Sequence, residues 1–120
     1  MEKTERNSRN RTGRRGESLA AWWLRLQGYR ILVRNWRHPA GEIDIFARRG
    51  RLLVAVEVKW RGEQDRAAEA IQAAQRRRIA QAAAVFLARQ PDAAGLSLRF
   101  DAVLLAPGRL PRHIRDAWRI

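Results

Sequence analysis

The stretch GEIDIFARRGRLLVAVEVKW, residues 41–60, constrains this chain more than any other. Glu42 to Ala47 and Leu52 to Trp60 read as two strands of a hairpin around Arg49, Gly50 and Arg51. Along the second strand Leu52, Val54, Val56, Val58 and Trp60 make an unbroken apolar face. Leu53, Ala55, Glu57 and Lys59 make the other. On the first strand Ile43, Ile45 and Ala47 share a face, with Glu42, Asp44 and Phe46 opposite. A two-residue turn at Arg49-Gly50 sets Asp44 diagonal to Glu57, at roughly 7–8 Å. A Gly50-Arg51 turn of the Gly-X type sets the two directly opposite. Either register gathers Glu42, Asp44, Glu57 and Lys59 on one face, whereas an odd-length turn or a bulge scatters them.

The flanking sequence supplies the rest of a domain. From Thr12 to Gln27, Leu19, Trp22, Trp23 and Leu26 recur at helical spacing, with Ala20 and Leu24 beside them and Gly28 placed to end the helix. Tyr29 to Trp36 alternates as a strand, and His38 to Gly41 is a turn. Beyond the hairpin, Arg61 to Gln64 is a loop and Asp65 an N-cap for a helix running to about Arg89. That helix carries a stripe of Ile71, Ile79, Ala82 and Phe86. Pro91 to Gly95 is a break, Leu96 to Leu105 a strand, and 112–120 a short element of no assigned type. Residues 1–12 are polar and without apolar periodicity, the pattern of a disordered basic arm, which leaves 13–120 as one domain. The order α-β-β-β-α-β, a meander and then a helical crossover, predicts an α/β fold: a mixed sheet flanked by helices.

Charge narrows the partner. The 120 residues carry 25 Lys plus Arg against 12 Asp plus Glu, a net +13. An excess of that size is the footprint of a nucleic-acid partner. With no cysteine, disulfides, thiolate zinc sites and cysteine nucleophiles are excluded. The two histidines, His38 and His113, lie far apart without ligand-like spacing. The longest apolar run, Ala82 to Ala88, is seven residues, against the ~20 needed to span a membrane. These features predict a cytoplasmic protein.

Paired carboxylates on rigid strands repel one another unless a cation sits between them. Lys59 is one candidate for that cation; a divalent ion is another. Hard oxygen ligands with room for water and phosphate suit Mg²⁺ or Mn²⁺, which polarise a phosphodiester and acidify water. Lys59 is one of only two lysines beside 23 arginines. Its compact ammonium suits charge stabilisation at a phosphorane. Glu17, at helical spacing from Ala20, Ala21 and Leu24, reads either as an inward-pointing acid or as a first-turn acid favoured by the helix dipole. Gln75 lies midway between Ile71 and Ile79 on the stripe facing the sheet, as a buried hydrogen-bonder or a group orienting water. Arg14, Arg15, Arg61, Arg76 and Arg77 are candidates to track a phosphate backbone. Asp101 has no evident partner and reads as structural.

Gly16-Glu17 opening an Ala-rich helix, Gly28-Tyr29, Arg34-Asn35-Trp36-Arg37, Gly41-Glu42-Ile43-Asp44, Val56-Glu57-Val58-Lys59 and Arg99-Phe100-Asp101 occur in this order. Over residues 13–120 the chain thereby resembles the YraN family, small bacterial proteins of restriction-endonuclease-like fold. The wider superfamily cleaves DNA or RNA with Mg²⁺, using an acid and then Glu-x-Lys on the next strand; archaeal Holliday junction resolvases add a helix glutamate. The resemblance implies Asp44 and Glu57 as metal ligands with the Val58 carbonyl, Lys59 as the catalytic lysine and Glu17 as the extra acid. It departs at Ile43, where the superfamily often has proline, and at Gln75, where the family more often has lysine. Together these features imply an endonuclease acting on structured or branched DNA, with DNA ahead of RNA and a homodimer if both strands of a duplex are cut. The alternative is a catalytically silent nucleic-acid-binding module.

Overall fold

The hairpin forms on the second of the two registers. Arg49 pairs with Leu52 and Ile45 with Val56, so the turn is Gly50-Arg51. Gly50 has φ 61° and Arg51 does not share the positive φ, as a type II′ turn requires. The computed structural model describes residues 15–60 and 72–118. The basic arm, Arg14, Arg61, Asp65 and Ile71 lie outside the described residues.

Helix α1, residues 15–26, precedes three antiparallel strands: β1 (Arg30–His38), β2 (Gly41–Arg49) and β3 (Leu52–Trp60). Helix α2 (Gln72–Ala88) and a 3₁₀ turn (Ala93–Gly95) return the chain to β4 (Ser97–Leu105), parallel to β3. A three-residue β5 (Arg112–Ile114) pairs antiparallel with β4. The sheet order is β1-β2-β3-β4-β5, the mixed α/β arrangement expected, with the unassigned segment supplying a fifth strand.

Each helix closes one side of the sheet. Ala20, Ala21 and Leu24 pack on Ile45, Ala47, Val54, Val56, Val103 and Leu105. Ala82 and Ala83, with Ile79 and Phe86, pack on Phe46, Leu53 and Ala55. Phe46 and Phe86 stack 3.9 Å apart between centroids, with Trp36 edge-on to both. Helix α1 ends as expected at Gly28 (φ 90°): the Tyr29 N–H donates to the Leu24 carbonyl and the Gly28 N–H to that of Arg25, each at 3.0 Å. Only a residue free of Cβ crowding takes this conformation readily.

The orientation of α1 differs from the sequence expectation. Leu19, Trp22 and Leu26 are exposed, at 44%, 48% and 62%, while Ala20, Ala21 and Leu24 are wholly buried. A helix that is apolar all round carries no decisive period, and the alanines let it approach the sheet more closely than tryptophans allow. Leu24→Ala should therefore cost about 2–5 kcal/mol in urea unfolding. Leu26→Ala, two residues on, should stay within about 0.5 kcal/mol; the reverse ranking would mean that the helix presents its other face.

Candidate functional site

Strands β2 and β3 part at Asp44. Their ladder runs from Arg49↔Leu52 to Ile45↔Val56. Beyond it β2 continues against β1 as far as His38↔Gly41, and β3 against β4 as far as Trp60↔Leu105. Asp44 turns its side chain into this fork, where Oδ2 accepts the Val58 N–H at 2.8 Å. The carboxylate thus satisfies a donor that the interrupted ladder leaves behind.

The fork follows from a change of face. Arg34 reaches the α1 side, donating to Ser18 Oγ at 2.9 Å, whereas Trp36 packs in the α2-side core. Regular alternation would put both on one side. Between them Asn35 has φ 53°, a left-handed conformation that asparagine tolerates better than most residues. Ile43, the register partner of Trp36, follows it into the α2-side core, while Ile45 and Ala47 stay in the other. The expectation that Ile43, Ile45 and Ala47 share a face is corrected accordingly. Asp44, at the crossover, departs from the regular alternation and lines one cavity with Glu42 and Glu57.

That position exposes Asp44 to carboxylates from both sides. Burial is the main force pushing its pKa up to about 7, with Glu17, Glu57 and Glu42 adding repulsion and the Val58 N–H opposing. Glu17 comes from α1 and is buried, with Oε2 3.9 Å from Arg34 Nη2. Gly16 sets the start of α1 tight on the sheet: a Cβ there would stand 3.1 Å from Leu105 Cδ1 and 3.2 Å from Trp60 Nε1.

A cavity of about 140 Å³ opens at the fork, lined by Glu42, Ile43, Asp44, Ala55, Val56, Glu57, Gln75, Ile79, Asp101 and Trp118. Glu57 is shared with a cleft of about 30 Å³ whose other walls are Lys59, Gln75, Arg76, Ile79 and Trp118. Lys59 Nζ is 3.5 Å from Glu57 Oε1. The fold therefore brings Asp44, Glu57 and Gln75 to one cavity and Lys59 to its neighbour, with Glu17 reaching Asp44 by charge and Val58 by its N–H. Gln75 is exposed at the rim rather than buried in the stripe. Arg76 is half-buried; Arg15 and Arg77 are exposed. Among the described residues, no three Asp, Glu, His or Cys side chains gather closely enough to hold a cation unaided.

Asp101, read from the sequence as structural and without an evident partner, does have partners. It is wholly buried and takes both branches of a bidentate Arg99 pair at 2.7 Å. His113 Nε2 at 2.6 Å and the Asp116 N–H at 2.9 Å complete its shell. Burial alone would raise its pKa; the bonds from Arg99, His113 and Asp116 outweigh that and hold it down at about 2. Arg99 at i−2 on the same strand face was a readable signal for this pair. His113, Asp116 and the wall residue Trp118 sit in a segment without periodicity, and no pattern pointed to them.

The sequence matches the Uncharacterised protein family UPF0102 over residues 16–105. A UPF0102 protein of Parvibaculum lavamentivorans is 57% identical over 109 residues, 91% of this chain and 82% of the relative. One from Paramagnetospirillum magneticum is 54% identical over 114 residues, covering 92% and 88%. Another from Bartonella bacilliformis is 45% identical over 115 residues, covering 96% and 94%.

The two aspartates should leave opposite marks on stability. Asp44 has a raised folded-state pKa, so ionising it costs stability: the penalty is absent below about pH 4, grows as pH rises and is complete above about pH 7. Asp44→Asn should be more stable than wild type at pH 8 by about 2–4 kcal/mol, with no gain below about pH 4. Asp101 is depressed, so its contribution is present above about pH 4 and is lost as pH falls toward 2. Urea unfolding of the wild type should show a loss of about 2 kcal/mol across that acid window, absent in Asp101→Asn.

Proposed function

The chain belongs to the UPF0102 family, and from that premise we propose that it is a divalent-metal-dependent endonuclease hydrolysing phosphodiester bonds in structured or branched DNA. The observation that carries this reading is the crowding at the fork. The fold half-buries Asp44 near three other carboxylates at the cost of pushing its pKa up to about 7, and such costs concentrate at functional sites. The donor set is of hard oxygens, which suits Mg²⁺ or Mn²⁺. When bound, such an ion supplies Lewis-acid polarisation of the phosphodiester and lowers the pKa of water.

Asp44 and Glu57 offer carboxylates from two strands that diverge at that point, with the Val58 carbonyl as a further ligand. Glu17 deepens the negative potential from the opposite layer. Lys59, held by Glu57, stands ready to offset charge developing on the phosphorane. Gln75 at the rim orients water by hydrogen bonding. Arg15, Arg76 and Arg77 follow the phosphate backbone, supported by the net +13. A second reading, a binding module of similar architecture without turnover, is supported by the net +13 and the exposed Arg15 and Arg77.

Two measurements separate these. Cleavage of linear, flap and four-way DNA with Mg²⁺ or Mn²⁺ should fall by roughly 10²-fold or more in Asp44→Ala and Glu57→Ala. Binding should persist or tighten, because each change removes negative charge near phosphate. No cutting by wild type across that panel would overturn the nuclease reading. Calorimetry should show Mn²⁺ binding to wild type and not to Asp44→Ala; a chain that binds DNA but no metal is the silent module.

A further inference from the structure

The β2–β3 hairpin carries different charges at its two ends. At the open end Glu42, Asp44 and Glu57 line the cavity. At the turn end stand Arg48, Arg49 and Arg51, with Arg30 of β1 paired in register to Arg48. The acid that meets this group is Asp92, and Arg48 closes it with a two-pronged pair: Nη1 donates to Oδ1 at 2.9 Å and Nη2 to Oδ2. Those bonds, and more weakly the field of Arg30, hold the Asp92 carboxyl below its usual range.

The turn is braced. Arg48 Nε also donates to the Gly50 carbonyl at 2.7 Å, and the Arg51 carbonyl accepts the Ser97 N–H at 2.9 Å. Arg49 is held by neutral partners: its guanidinium carbon lies 4.5 Å from the centre of the Tyr29 ring, and Nη1 donates to the Gln27 carbonyl at 3.2 Å. A ring face and one carbonyl orient a guanidinium without cancelling its charge, and leave N–H donors over for a ligand. Asp101, connected to Tyr29 through Arg99, already has its charge met by Arg99. Arg51 is exposed and edges a hollow whose other walls are Pro91, Asp92, Ala94 and Gly95. No carboxylate among the described residues forms an ion pair with Arg49 or Arg51.

Guanidinium forks mounted on a fixed turn match phosphate oxygens, which accept two N–H donors at once. The small walls beside Arg51 give an acidic peptide little apolar surface to bury, whereas a sugar–phosphate backbone needs only charge and close approach. Asp44 and Arg49 are five residues apart on β2, about 17 Å at a strand's rise. That equals the rise of about five base pairs. We propose that the hairpin turn, through Arg49 and Arg51 with Arg30 beside them, is a docking surface for the backbone of a nucleic-acid duplex, about five base pairs from the phosphodiester that faces Asp44. The proposal rests on the nucleic-acid reading above but not on turnover, so its test is run without metal.

Binding of the full chain to a fluorescein-labelled duplex of about 16 base pairs is measured in EDTA across 50–200 mM NaCl, where each phosphate contact contributes about 0.9 to the slope of log K against log[salt]. R49Q and R51Q should each lower the slope by about that amount, and the R49Q/R51Q double variant by about twice as much. R51K, which keeps the charge, should stay near wild type; a loss equal to that of R51Q marks a structural arginine and overturns the proposal. R109Q neutralises an exposed arginine in the loop beyond Leu105, at the opposite end of β4, and should keep the wild-type slope. An equal loss in R109Q is a diffuse charge effect and overturns the proposal, as does a wild-type slope in R51Q. R51Q carries the test alone if R49Q, which also gives up the Tyr29 contact, fails to fold. A second measurement needs no substitution: the Arg51 Nε–H resonance of ¹⁵N-labelled wild type should shift on duplex addition, more than that of Arg109, and an unmoved signal overturns the proposal as well. If wild type binds no duplex, the nucleic-acid reading falls and takes the surface with it; binding with one slope throughout removes the surface alone. Binding to anionic POPC/POPG vesicles but not to duplex, weakened by R51Q, makes the turn a lipid contact and overturns both.

Discussion

The hydrogen bond from the Val58 N–H to the Asp44 carboxylate organises this molecule. A sheet whose central strands separate leaves backbone donors facing a gap, and a buried unpaired donor is costly. A short acidic side chain turned into the gap satisfies one of them and fixes the width of the fork. It also places a charge where neither layer shields it from the other. The cavity and the crowding of acids follow from strands that diverge there and do not close again.

Two aspartates show how far environment decides chemistry on one scaffold. Asp101 is wholly buried and Asp44 half-buried. Asp101 receives hydrogen bonds from a guanidinium, an imidazole and a backbone N–H, and stays charged even in acid. Asp44 receives one, from a neutral amide, and faces three carboxylates. The number and charge of donors, more than burial, separate a fixed anchor from a group able to exchange protons or cations near neutrality. The anchor holds His113 and Asp116, and Trp118 beyond them forms a wall of the cavity, so the two aspartates lie at either end of one chain of contacts.

Much of this was legible in the sequence, for identifiable reasons. Strand β3 was readable to the residue because five alternating apolar side chains leave it one face to bury. The hairpin was bounded by the φ demands of Gly50, and Gly28 marked the end of α1. Of the two readings open for Glu17, its spacing to two alanines supported the inward one, which is the one observed. Three things were hidden. Asn35 reads as an ordinary strand residue, since its left-handed turn depends on tertiary context, and the change of face at Asp44 was hidden with it. The rotation of α1 was obscured because tryptophan and leucine carry more apolar surface to bury than alanine, although small residues permit the closer packing. The segment from His113 to Trp118 carries no periodic pattern, so its bonds to Asp101 arise only from distant pieces of chain meeting in the fold.

The irregularity in β1 reaches beyond the cavity it helps to shape. β1 lies at the margin of the sheet, where a long regular strand would offer its free amides and carbonyls to any other chain in extended conformation. A bulge between Ile31 and Val33 breaks its rhythm, the left-handed Asn35 breaks it again, and Arg30, Arg34 and Arg37 line its length. No incoming strand finds an uninterrupted run of donors and acceptors there, and any that approached would have to bury guanidinium groups. The distortion that opens the fork inside the sheet thus also guards its outer margin against fibrillar self-association.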